Sequence, residues 1–254
     1  MKPEGLTTNG KSWESARALV RKEIRSYVYS PVFYGIGVFF LLFVSVWFFY
    51  FHRFFTLNTA NLRPFFAAFP LGFIMVIPVL TMKSWAEERK LGSIELLLTM
   101  PFSEWDLVLG KFVAAFAALA SVMALTIPVP LTLLPLGDFD AGVVVGEYAG
   151  ALLLGAAATA LGLLTSCLSK HQGAAFIGCA AVMLLTLLVS RLTQAADLPL
   201  PLPLIEGINF FSLSFHFETF AKGVIDTKDA AFFIISTALF LFLNTRVLLY
   251  RKWR

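Results

Sequence analysis

Three histidines, two cysteines and one Gly-Lys pair are the residues here whose types suit chemistry, and their spacing withholds it. His52, His171 and His216 lie far apart in the chain. Neither a His-Glu-x-x-His run nor a Gly-x-Ser-x-Gly elbow occurs, so the usual zinc-hydrolase and serine-hydrolase signatures are missing. Cys167 and Cys179 have no His or carboxylate at ligand spacing and read as small core residues. A phosphate-binding loop would need Gly five residues before Gly110-Lys111 and Ser or Thr after it; Trp105 and Phe112 stand there instead. The chain is therefore not expected to hydrolyse ATP itself. His216, near Glu218 and Asp226, is open to two readings: an acid–base group or an interfacial polar residue.

The charge pattern from Lys83 to Asp106 is more telling. Glu87, Glu88 and Glu95 surround Arg89 and Lys90. Gly92 and Ser93 interrupt the run, with Ser93 a candidate N-cap for a short helix. Ile94, Leu97 and Leu98 give that helix an apolar stripe, and Pro101 stops it. A helix both acidic and apolar is unfavourable in water unless something covers it, which predicts docking of a soluble partner. Ser103-Glu104-Trp105-Asp106 then forms a capping-box-like start for the next element.

Two further segments carry a pattern. From Ser12 to Tyr29, Trp13, Ala16, Val20, Ile24 and Tyr27 repeat every three or four residues, while Arg17, Arg21 and Arg25 share another face. This predicts an amphipathic helix lying on the inner leaflet, or a plain basic anchor that fixes topology. From Arg191 to Asp229, alternate prolines between Leu198 and Leu204 forbid a helix, and aromatic residues recur at 210, 211, 215, 217 and 220. That stretch is too interrupted to span and suits helices dipping into the outer leaflet. The short Ser169–Gln172 loop, with Lys170 and His171, is either a plain turn or a second, smaller partner contact.

The elements that must position these residues are membrane spans. Hydrophobic residues make up 58% of the chain and charged ones 14%, with 27 Phe. A soluble domain of 254 residues cannot bury so much apolar surface. Six runs are long and apolar enough to span: 31–51, 65–82 (with Pro70 and Pro78), 107–136 (with Pro128 and Pro130), 148–168, 173–190 and 230–250. The fold class is therefore an all-α polytopic membrane protein with six transmembrane helices. Residues 1–30 form a cytoplasmic N-terminus, 31–250 the membrane domain and 251–254 a basic tail. The first 30 residues are polar and basic, so no signal peptide is expected.

Lys and Arg set the orientation. Lys2, Lys11, Arg17, Arg21, Lys22 and Arg25 precede the first span, and Lys83, Arg89, Lys90 and Lys111 fall around the second loop. Lys170 and the C-terminal Arg246, Arg251, Lys252 and Arg254 fall on the same side, which leaves five of the 20 for the other. Both termini are thus expected in the cytoplasm. The net charge of +4 is read as membrane orientation, with no nucleic-acid partner. No span carries a charge at its middle: Glu147 is placed at the outer interface, and Lys111 and Arg246 are expected to snorkel.

The run Glu87-Glu88-Arg89, Gly92-Ser93, Glu95-Leu96-Leu97 and Pro101, followed by Gly110-Lys111, resembles permease subunits of ABC-2 type transporters. The resemblance implies that this segment is the coupling helix seated in a separate ATPase, and that the basic helix with Arg17, Arg21 and Arg25 is the elbow helix. Ser212, His216, Phe217, Gly223, Ile225 and Asp226 are similar to the loop end in gliding-motility-type permeases of that superfamily, with Leu213 where Pro is common. Phe211, Phe215, His216, Phe217, Gly223 and Asp226 then belong to re-entrant outer helices before span six.

The expected function is thus an exporter-type permease subunit in the inner membrane of a bacterium, without its own cofactor. ATP and Mg belong to a partner ABC ATPase dimer, and a second permease subunit, like or related, completes the pathway. An alternative is an ATP-driven motor or signalling complex that moves an extracytoplasmic partner protein. A membrane-embedded enzyme would need converging polar groups inside the spans, and the sequence shows none.

Overall fold

The structure is a computed structural model, and it describes residues 8–52, 61–93, 103–133, 135, 140–195, 207, 209, 212–220 and 226–252. Its elements are helical. Helix α1 (Thr8–Val28) leads into α2 (Pro31–Val46), which opens into a π-turn at Trp47–Phe51. Helices α3 (Arg63–Lys90) and α4 (Glu104–Ala124) follow, then the short α5 (Pro128–Leu133). Helices α6 (Ala141–Leu168), α7 (Gln172–Ala195), α8 (Leu213–Phe220) and α9 (Thr227–Lys252) complete the described chain. Among the described residues, six segments are long and apolar enough to cross a membrane, as the sequence predicts.

Local chemistry explains most of the boundaries. Pro31 opens α2 in its first turn, where its missing N–H is not needed. Asp140 and Ser103 cap α6 and α4 by accepting from Gly142 N (2.8 Å) and Trp105 N (3.3 Å). Asp226 does the same for α9, accepting from Lys228 N at 3.0 Å. The expected 107–136 span is two pieces, because Pro128 cannot continue α4 and instead begins α5 after a three-residue turn.

The second span departs most from the sequence reading. A loop is expected from Lys83, yet α3 continues to Lys90. Nothing between Met82 and Lys90 breaks a helix. The helix ends at Leu91, and Gly92 takes the left-handed conformation (φ 69°) that suits glycine. Twenty-eight residues give about 42 Å of helix against a hydrocarbon layer of about 30 Å. Glu87, Glu88 and Arg89 therefore ride on a rigid extension of the span.

Helices α3 and α6 form the buried centre, and α2, α7 and α9 keep apolar faces outward, as lipid contact requires. Small residues let the centre close: Ala157, Ala158 and Ala160 of α6 are fully buried, and Gly162 lies against Thr81 of α3. Aromatic rings fill the far half. Phe40 stacks on Phe73 at 5.8 Å, and Phe66 meets Tyr148 edge-on at 4.9 Å.

Candidate functional site

The ends of α3, α4 and α6 meet α1 on one face of the bundle. The approach of α1 is tight: a Cβ on Gly110 would sit 2.8 Å from Leu19 Cδ2. Leu19 is buried and Tyr27 half-buried, whereas Ile24 of the expected apolar face is exposed. Helix α1 packs on protein, with Arg17, Arg21 and Arg25 left exposed on its other side.

At the centre of the contact sits Lys111 of α4. Its side chain is 2% exposed, so it does not snorkel. Its Nζ donates to Glu88 Oε1 of α3 at 2.7 Å and to Glu23 Oε1 of α1 at 3.2 Å. It also lies 4.8 Å from the centre of the Trp85 ring. One cation thus joins three helices through two charge-assisted bonds and a ring face. Sequence spacing hides this arrangement: Glu23 and Glu88 are 88 and 23 residues from Lys111.

Two further ties fix the end of α3. The Ser166 hydroxyl of α6 accepts from Trp85 N (3.2 Å) and Ala86 N (3.3 Å) and donates to Met82 O (3.1 Å). It is stitched into the backbone one turn before Glu87. The Arg89 guanidinium donates from Nη1 to Ser169 O at 3.1 Å and Leu168 O at 3.4 Å. That places the Ser169–Gln172 loop beside the acidic segment. The Ser93 hydroxyl donates backward to Glu88 O at 3.2 Å. The residues Ser93 would cap, with Glu95, Leu97, Leu98 and Pro101, lie outside the described residues.

Tyr27 closes the joint between α1 and α3. Its hydroxyl donates to Leu80 O at 2.9 Å and lies 3.4 Å from Ser84 Oγ. Burial pushes its ionisation up to about 12 from the ordinary 10.0. The folded state holds this proton more tightly than the unfolded chain does. Its stability is therefore complete below about pH 10 and falls as pH rises toward 12. Tyr27→Phe is expected to lower stability by about 1 kcal/mol at neutral pH, the value of one lost hydrogen bond. Thermal unfolding between pH 9 and 12 checks this: the variant should lose the part of the alkaline slope that Tyr27 supplies.

The predicted outer residues lie on the opposite face. His216 pairs with Asp229 of α9 (Nδ1 to Oδ1, 2.6 Å). Its ring stacks on Phe232 at 3.9 Å. Phe217 is buried and Phe215 exposed on α8, while Asp226 caps α9. Phe211 and Gly223 lie outside the described residues. Glu147 corrects another expectation: it is fully buried in α6, and neither carboxylate oxygen has a hydrogen-bond partner among the described residues.

A sequence model described as "ABC-2 family transporter protein" matches residues 56–243. The chain is also similar to the "Probable multidrug ABC transporter permease YbhR" of Escherichia coli K12, with 28% identity over 166 residues. The counterpart in Escherichia coli O157:H7 gives the same identity over the same length. The alignment spans 64% of this chain and 43% of those relatives, less than half their length.

Proposed function

The chain belongs to the ABC-2 family of transporter proteins and is a membrane subunit of that class; from this premise we propose that it couples ATP hydrolysis by a separate ABC ATPase to outward movement of a substrate. The observation that carries the reading is the unbroken α3, which runs from the bundle centre to Glu87, Glu88 and Arg89 beyond the apolar layer. A rigid helix transmits a push at one end to the packed core at the other, whereas a loop would absorb it. Ser166, Arg89 and the Lys111 bridge tie that end to α6, α4 and α1. A force on the segment would therefore move several spans together.

On this reading Glu95, Leu97, Leu98 and Pro101 continue the segment into the ATPase groove, with Gly92 as the bend. The ATPase dimer holds ATP and Mg. A second permease subunit, like or related, supplies the other half of the pathway, and both termini lie in the cytoplasm of a bacterial cell. The name of the relatives, a multidrug permease, suggests an amphipathic small-molecule substrate. The outward-facing apolar surfaces of α2 and α7 suit such a substrate or the lipid around it. No observation favours a motor that moves an outer protein, so transport remains the single reading.

The test is co-purification with the cognate ABC ATPase in nanodiscs, comparing the wild type with Glu95→Lys, Leu98→Asp. These positions avoid Glu88, whose loss would also break the Lys111 bridge. The variant is expected to lose at least tenfold in ATPase retention and in transport-coupled hydrolysis, at unchanged thermal stability. Full retention would remove the segment from the coupling role, and a wild type that captures no ATPase would overturn the proposal.

A further inference from the structure

A cleft of about 320 Å³ opens between α1, the start of α2 and the end of α3. That is the lower end of small-molecule site volumes, roughly 300–1,000 Å³. Its walls divide by chemistry. Lys22 and Lys83 stand with the hydroxyls of Ser26 and Ser84. Glu87 and Glu88 also line it. Deeper along the spans the lining turns apolar, with Val32, Phe33 and Val79. The three lysines and three glutamates around the cleft cancel in charge. Part of that charge is spent within the protein: Lys111 holds Glu23 and one oxygen of Glu88, and Lys22 lies 3.9 Å from the same Glu23 oxygen. The other oxygen, Glu88 Oε2, is enclosed and has no hydrogen-bond partner among the described residues.

The position is as informative as the lining. The apolar run of α2 begins at Pro31, and charged residues resume on α3 at Lys83. The cleft lies at that level, where lipid headgroups sit. Exposed Tyr29 and Tyr34, of the residue type enriched at membrane interfaces, adjoin its lining residues Ser30 and Phe33 in the chain.

We propose that this cleft binds the headgroup of a zwitterionic phospholipid bearing a primary ammonium. Lys22 and Lys83, with Ser84, take the phosphate. Glu87 accepts the ammonium N–H bonds, with the Glu88 carboxylate adding negative charge behind it. The acyl chains run along Val32, Phe33 and Val79. A primary ammonium fits because the carboxylates are acceptors that need N–H donors, which a quaternary amine lacks. An anionic headgroup would leave Glu87 and Glu88 facing its charge without a counter-ion.

The test is native mass spectrometry of the full chain released from nanodiscs of equal parts phosphatidylethanolamine, phosphatidylcholine and phosphatidylglycerol. Retained lipid is expected to be enriched several-fold in phosphatidylethanolamine. Lys22→Ala, Lys83→Ala should lower total retained lipid about tenfold, the loss of about 1.4 kcal/mol in affinity. Glu87→Gln should abolish the preference for the ethanolamine headgroup over choline. All three positions are at least partly exposed, so the variants should fold, and unchanged thermal unfolding checks that. A second arm separates lipid from free ligand: inorganic phosphate and glycerophosphoethanolamine at millimolar concentration should fail to displace the lipid. Equal retention of the three lipids, preference for phosphatidylglycerol, displacement by inorganic phosphate alone, or enrichment unaffected by the substitutions would each overturn the proposal.

Discussion

Lys111→Met is expected to destabilise the protein by about 3 kcal/mol, the lower end of the penalty for removing one partner of a buried ion bridge. The lysine is 2% exposed, and its two carboxylate partners are 14% and 18% exposed on their side chains. Without the cation, Glu23 and Glu88 face each other across a nearly dry site. Their limited exposure lets water relieve part of the repulsion, which sets the lower end of the range. At about 2–4 °C per kcal/mol for a chain of this length, the melting temperature in detergent should fall by roughly 6–12 °C. Adding Glu23→Gln and Glu88→Gln should recover most of that fall, because the penalty arises from the stranded charges. A fall below about 2 °C, or no recovery, would show that the bridge does not hold α1 to α3 and α4.

Glu147→Leu should act in the opposite direction. Among the described residues, both carboxylate oxygens are enclosed without a hydrogen-bond partner. An unpartnered buried polar group costs about 1–3 kcal/mol, and leucine restores apolar packing at similar volume. The variant is therefore expected to melt higher by several degrees. Ionisable residues kept inside spans generally serve function, so transport-coupled ATP hydrolysis should fall in the same variant. Paired measurements of melting and activity decide the matter. A lower melting temperature would mean that Glu147 is satisfied in the assembled transporter, and unchanged activity would remove it from the pathway.

These two residues also show where the sequence misleads. Lys111 and Glu147 each sit near the end of an apolar run, the position where charged side chains ordinarily reach water. What denies them water is a neighbour from elsewhere in the chain: α1 folds over Lys111, while the packing around α6 encloses Glu147. Tyr27 was legible as one of an apolar series, yet its place depends on the Leu80 carbonyl that it reaches. His216 was legible as a polar residue among aromatics. Its partner, Asp229, is set by how α8 folds back on α9.

The sequence by itself determined the class, the six spans and the capping residue Ser103. Hydropathy over about 20 residues, the fixed geometry of proline and a short side chain beside free N–H groups are local properties. The family signature in the Glu87–Pro101 stretch is local in the same way. Only the tertiary structure decided that Lys111, Glu23 and Glu88 form one bridge. It alone placed the Ser166 hydroxyl in the backbone of α3. The physical reason is that an ion bridge or a buried hydroxyl needs groups brought within about 3 Å, and residues as far apart as 23 and 111 meet only when helices pack.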